Sequence, residues 1–286
     1  MIQKMSQEHC LTELAEALEV SRTGFHAHQH KDQGERRRQD NQLRASIEPL
    51  FQASRQTYGS PRIARALRNS GKICGKNRVA RLMRELGLRV KQKRRFRPRT
   101  TDSAHRLPVA ENLLARMPAP DRPNQVWLGD ITYIPTAEGW LYLSGILDAC
   151  SRRCVGWHAD DSLATPLVTR AWKKACKQRR PPPGLLYHSD RGIQYASSEF
   201  DALLRFCGAV ASMSRKANCY DNAMMESFWA TLKTECFGPL VPQTKQEAKL
   251  MIFDYIEAFY NRRRLHSGLD YQSPLDFENN VVNLTN

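Results

Sequence analysis

Long apolar runs are missing from this sequence. None approaches the ~20 residues of a membrane span. The first twenty residues hold no apolar stretch of the kind a secretory signal needs. A cytoplasmic chain with no membrane partner is therefore expected. Paired cysteines are missing too. Eight are present, at positions 10, 74, 150, 154, 176, 207, 219 and 236, yet none forms a C-x-x-C or a zinc-finger spacing. Reduced thiols are expected rather than a disulfide framework. His26, His28 and His30 with Cys10 fit no familiar ligand spacing, so no metal is expected there.

Acids are scarce at the front. Residues 1–120 hold 25 Lys and Arg against 11 Asp and Glu, whereas residues 121–286 hold 19 against 18. Nearly all of the formal net charge of +15 therefore sits in the first part. The excess is mostly arginine, whose planar fork suits phosphate. This is the layout of a polyanion-binding module joined to a balanced second part. A solvated basic surface is the plainer reading. At 286 residues, two or three compact units are expected.

Helical spacing marks the front. In "LTELAEALEVSRTGFHAH" (11–28), Leu11, Leu14, Ala15 and Leu18 share a face, and Ser21 can cap a second helix. A second helical pair is expected in 57–89, with Ser60–Pro61 opening one helix and Gly71 and Gly87 where helices stop. Val79, Leu82, Met83 and Leu86 form an apolar stripe. Helix-turn-helix units have these dimensions, as do plain helical hairpins. The stretch "RVKQKRRFRPRT" (89–100) packs seven basic residues and reads as an extended linker that tracks phosphates.

From about residue 122 the pattern changes. Strands are expected at 125–136, 139–150, 152–161, 181–190 and 209–213. Helices are expected at 165–180, 197–207, 221–236 and 245–262, with a last short one from Ser273–Pro274. The fold class is α/β, a mixed sheet flanked by helices and preceded by small all-α units. The expected divisions are 1–44, 45–89, a basic linker 90–121, a core 122–240 and a helical tail 241–286.

Three acids carry the chemistry. Asp130 falls mid-strand, where a lone buried carboxylate is costly and needs a partner or a metal. Asp190 ends a strand, where open α/β sheets place ligand sites. Glu226 lies on the helix "DNAMMESFWATLK". There Met225, Phe228 and Leu232 are the core stripe, and Asn222, Glu226 and Lys233 lie about 60–100° around from it. Three converging acids would repel unless divalent ions, Mg²⁺ or Mn²⁺, join them. Two such ions about 3.5–4 Å apart support in-line phosphoryl displacement. The spacing of Asp190 and Glu226 is by itself uninformative. Asp148 is a rival acid, but Ser151–Arg152 after it suggests a turn. Asp221 reads as a helix cap, and His188 as a packed or DNA-touching side chain. Trp127, Trp157 and Trp229 read as core. Arg262, Arg263 and Arg264 suit a helix C-terminus or a grip on DNA.

"WLGDITYIP", "YHSDRGIQYAS", "DNAMMESFWATLKTE" and "YNRRRLHSGLDYQSPLDF" together closely resemble transposases of bacterial insertion sequences encoded by overlapping frames. That group lies in the retroviral-integrase-like Asp-Asp-Glu superfamily. The resemblance covers roughly residues 45–280. It implies a ribonuclease H-like core, catalytic and metal-holding roles for Asp130, Asp190 and Glu226, and a DNA contact at Lys233. It implies double-stranded DNA as partner, both terminal repeats and target, and a homo-oligomer that joins two ends near the nucleoid. It also implies fusion to, or help from, an upstream-frame helix-turn-helix protein. Residues 11–28 are then either a reader of their own or a remnant. The other expected DNA contacts are Asn222, Arg62, Arg65 and Arg78, and in the linker Arg94, Arg95 and Arg97. A DNA-binding regulator with an inactive core, or a ribonuclease H-like nuclease without strand transfer, are the competing readings. A glycosidase also pairs acids but has no use for the basic front.

Overall fold

The fold is taken from a computed structural model, which describes residues 11–17, 21, 23–24, 34–90, 107–215 and 222–285. Arg94, Arg95, Arg97, Asp221 and the histidines at 26, 28 and 30 lie outside the described residues. The chain divides into two compact units, Met1–Val90 and Lys91–Asn286.

In the front unit, α1 (Leu11–Ala17) is followed by Ser21, whose hydroxyl accepts the Gly24 N–H at 2.9 Å. That is the capping contact expected of this serine. The long helix α2 (Glu35–Ala53) was not expected, and it runs straight through the division placed between residues 44 and 45. Its composition hides it, because charged residues surround a thin buried stripe of Asp40, Leu43, Ile47 and Phe51. The expected pair follows as α3 (Ser60–Asn69) and α4 (Lys76–Glu85). Gly59, rather than Ser60, is the N-cap of α3, and Pro61 sits in its first turn. Gly71 and Gly87 have φ of 78° and 67°, a region open to glycine at helix ends. Ile63 and Leu67 of α3 and Val79, Leu82 and Met83 of α4 are buried, which closes the core.

The second unit is built on a sheet of order β3-β2-β1-β4-β5. β1 (Val126–Thr136), β2 (Gly139–Asp148) and β3 (Cys154–Asp160) form an antiparallel meander. β4 (Leu186–Ser189) and β5 (Val210–Met213) add in parallel on the far side of β1. This is the mixed sheet anticipated, with helix crossovers supplying the parallel strands. α5 (Thr165–Arg179) sits directly on β3, where a Cβ at Gly156 would lie 2.6 Å from that of Ala175. Ala164, not Thr165, is its N-cap. α6 (Ser198–Phe206) is capped by Ser197, which accepts the Phe200 N–H. Trp127, Trp172, Tyr187 and Phe200 stack edge to face beneath the sheet, at centroid distances of 5.1 to 6.3 Å. Each such fully buried large side chain stabilises by roughly 1.5–3 kcal/mol.

Two expected helices are shorter than their apolar patterns. α7 (Ala223–Leu232) widens into a π-helical turn, Lys233–Phe237. α8 (Lys245–Phe253) does the same at Asp254–Tyr260. One extra residue per turn rotates the following side chains while the helix path continues. The last helix, α9 (Pro274–Thr285), is tied down through Glu278, which accepts from Arg153, Arg179 and Ser151 at 2.6 to 2.9 Å. Within the stretch 90–121 assigned to the basic linker, the Leu113 N–H donates to Ser212 Oγ at 3.0 Å beside β5.

Candidate active site

The strand register brings two of the three acids together. On the parallel pair β1 and β4, Gly129 lies opposite Ser189. One residue further, Asp130 continues along β1 while Asp190 emerges beside it from the end of β4. Adjacent strands are about 4.8 Å apart. Asp190 Oδ1 accepts the Gly192 N–H at 2.9 Å, which turns the chain back after β4.

The third acid arrives on α7. Trp229 of that helix donates its indole N–H to Asp130 Oδ2 at 3.0 Å. Glu226, one turn earlier on the same helix, is solvent-exposed in the first turn. Its charge is felt at Asp130. Burial raises the pKa of the Asp130 carboxyl well above the usual carboxylate range, the Asp190 carboxylate adds to this, and Glu226 adds the smallest part. The Ile131 backbone N–H and the Trp229 indole oppose the rise. Lys233, half-buried and directly after α7, has its pKa lowered by burial, against the opposing effect of Asp130. Asn222 occupies the N-cap position of α7, with φ of −120° and no side-chain capping hydrogen bond, on the turn before Glu226.

Among the described residues, no three His, Cys, Asp or Glu side chains are gathered tightly enough to hold an ion as they stand. The donor set nevertheless fits divalent ions. Carboxylates on neighbouring strands, one of them already biased toward its proton, are relieved by a hard cation.

Other expectations find their places. Asp148 is fully buried and fixes a turn, accepting from the N–H groups of Asn124, Cys150 and Ser151 at 2.6 to 3.0 Å. His188 is fully buried, with Nδ1 2.9 Å from Ser212 Oγ, so it packs the sheet. Trp127 is core, and Trp157 hydrogen-bonds Glu257 at 2.9 Å. Arg264 is buried against Glu235, whereas Arg262 and Arg263 are exposed. The expected tract of three adjacent arginines is thus divided.

In the front unit, Arg62 lies over the Tyr58 ring at 5.8 Å, and Arg65 on the same helix is partly exposed. Arg78 is turned inward, its Nε 2.7 Å from Asp40 Oδ1, and Arg81 holds the other oxygen at 2.6 Å. The exposed residues of α4 are instead Lys76, Asn77, Arg84 and Glu85, with Asn77 and Arg84 opposite the buried Val79, Leu82 and Met83. The helical wheel carried that signal, and the sequence reading did not use it. It also missed Trp229 as a partner of Asp130, since a tryptophan on an apolar helix reads as core.

The chain is similar to known proteins along most of its length. Residues 120–219 and 226–282 match integrase core domain families, and residues 38–96 match an HTH-like domain family. The chain is 38% identical over 280 residues to the transposase InsF for insertion sequence IS3A of Escherichia coli (strain K12), covering 97% of each chain. It is 44% identical over 236 residues to the transposase for insertion sequence element IS904 of Lactococcus lactis subsp. lactis, covering 82% of this chain and 93% of that one. This chain belongs to the insertion-sequence transposases. A further relative, the insertion element IS600 uncharacterized 31 kDa protein of Shigella sonnei, is 44% identical over 264 residues, covering 92% of this chain and 97% of that protein. Among solved structures, the simian T-cell lymphotropic virus intasome in complex with PP2A regulatory subunit B56 gamma aligns with a TM-score of 0.48 and 14% identity, over 82% of this chain and 74% of that one. The transposase has no helix, among its described residues, that is long and apolar enough to cross a membrane.

Proposed function

We propose that this transposase cleaves DNA at the ends of its insertion sequence and joins the freed 3′-hydroxyl to a second strand, with Asp130, Asp190 and Glu226 as metal-holding catalytic residues. Two Mg²⁺ or Mn²⁺ ions bound there would activate the attacking oxygen and stabilise the leaving oxygen of an in-line displacement. The protein's own groups do the rest. Asp130 presents its oxygens from within β1 and Asp190 from just after the end of the neighbouring β4, and Glu226 joins them from the helix. Lys233 offers its ammonium to a phosphate at the edge of the site. In the front unit, Arg62, Arg65, Lys76, Asn77 and Arg84 are the side chains placed to meet DNA, and the basic stretch with Arg94, Arg95 and Arg97 follows the backbone. Arg78 serves first to hold α4 against α2. Asn222 positions the start of the helix that carries Glu226. Two ends must be held together for joining, so the working form is a homo-oligomer.

The single observation that carries this reading is the β1–β4 register, which sets Asp130 next to Asp190, with Glu226 acting on the same carboxyl. The test is to incubate the wild type and Asp190→Asn with labelled element-end DNA in Mg²⁺. The reading expects cleaved and joined products from the wild type alone. Products from both would remove Asp190 from the chemistry, and hydrolysis without joining would indicate a nuclease. A regulator would show neither product and no heat of Mg²⁺ binding.

A further inference from the structure

Trp229 has three constraints that ordinary core packing does not require. Its indole N–H is 3.0 Å from Asp130 Oδ2, a contact spanning 99 residues of sequence. The Cη2 edge of its ring lies against Gly145, where a Cβ would come within 2.5 Å of Cη2 and 3.1 Å of Cζ2. Gly145 is also the residue that pairs with Asp130 across β1 and β2. Its φ is not positive, so the backbone does not demand glycine at this point. Only the approach of the indole explains the missing side chain. Phe228 packs beside the ring at 4.8 Å and limits its tilt.

Helix α7 thus reaches β1 through a ring with a fixed seat and a fixed hydrogen bond. Glu226 is on that helix and Asp130 is on that strand. Rotation of the helix that moved Glu226 would break the indole bond or drive the ring into Gly145. A neutral N–H on one carboxylate oxygen also constrains the orientation of the group. Hydrogen bonds of this kind to ligating side chains tune metal affinity.

We propose that Trp229 is a positioning residue for the catalytic acids, orienting the Asp130 carboxylate and setting the span between it and Glu226, with Gly145 as the seat of its ring. This rests on the reading of Asp130 and Glu226 as metal-holding residues.

The test titrates the full chain with Mg²⁺ alone by calorimetry, comparing wild type, Trp229→Phe, Gly145→Ala and Asp130→Asn, with thermal melting of each. Trp229→Phe keeps an aromatic side chain but removes both the N–H and the distal ring carbons seated on Gly145. It is expected to weaken Mg²⁺ binding by ~10-fold or more, while retaining a cooperative melt. Gly145→Ala displaces the ring and is expected to weaken binding similarly, with little further loss when the two changes are combined. In the wild type, the Trp229 indole N–H resonance is expected to move as Mg²⁺ saturates. This last reading needs no variant and stands if Trp229→Phe fails to fold. Unchanged Mg²⁺ affinity in Trp229→Phe, alongside lost binding in Asp130→Asn, overturns the role of Trp229 alone. An indole resonance that stays still at saturation does the same. Unchanged binding in Asp130→Asn overturns both this inference and the reading beneath it.

Discussion

Arg264 and Glu235 form a buried two-point ion pair, with Nε and Nη2 of the arginine each 2.7 Å from a different carboxylate oxygen. The Tyr255 hydroxyl donates to the same carboxylate at 2.8 Å. Glu235 lies in the π-helical turn that begins at Lys233, so the pair holds the wide turn from which Lys233 projects. Removing one partner strands a buried charge, whereas removing both does not. Glu235→Gln is expected to cost about 3–5 kcal/mol in chemical denaturation. Replacing Glu235 and Arg264 together with methionines is expected to recover most of that loss. Equal losses in the single and double variants would contradict this account.

In the front unit, Asp40 is held below its ordinary pKa of 3.8, first by its hydrogen bond to Arg81 and then by Arg78, against the opposing effect of burial. A depressed folded-state value means the stabilisation is complete above the unfolded value, about 3.9. It is lost as pH falls through the lower folded value. Carboxyl titration by NMR is expected to give Asp40 a midpoint under 3.8. The unfolding midpoint of the front unit is expected to fall with acidification in that range, and Asp40→Asn is expected to flatten this dependence.

The same contacts divide the arginines and polar residues of α4. Asn77→Ala is expected to cost about 1–3 kcal/mol of sequence-specific DNA binding without changing the melt. Lys76→Ala is expected to weaken binding to all sequences and lower the salt slope by about one. Arg78→Ala is expected to reduce stability first, since its partner is Asp40. Competition binding at several salt concentrations, with melts of each variant, separates these outcomes.

Gly129 precedes Asp130 and faces the Tyr187 hydroxyl, where a Cβ would lie 1.9 Å from Oη and 2.4 Å from Cζ. Tyr187 is fully buried and cannot retreat. Gly129→Ala is expected to destabilise by about 1–3 kcal/mol or more, as overpacking does. Adding Tyr187→Phe is expected to rescue only part, because the ring carbon still clashes. Denaturation of the two variants checks the order.

Alternating and helical periodicity made the meander and its crossovers legible, because strand edges coincide with turn residues such as Gly139 and Gly184. The places of Asp130 within β1 and of Asp190 just after β4 were legible from the strand pattern. Helix α2 was not, since its buried stripe includes an aspartate whose partners, Arg78 and Arg81, lie about forty residues away. The π-helical turns leave no mark on hydropathy. Trp229 and Gly145 explain each other only once α7 and β2 are adjacent in space, which local patterns cannot express. Arg264 differs from Arg262 and Arg263 for the same reason.

The central claim is that Glu226 completes a metal-holding set with Asp130 and Asp190. Its most direct test is cleavage of element-end DNA in Mg²⁺ by Glu226→Gln, a change of one exposed side-chain atom. The account predicts that cleavage is abolished while DNA binding and the melting transition stay at wild-type levels. Cleavage at the wild-type rate would contradict it.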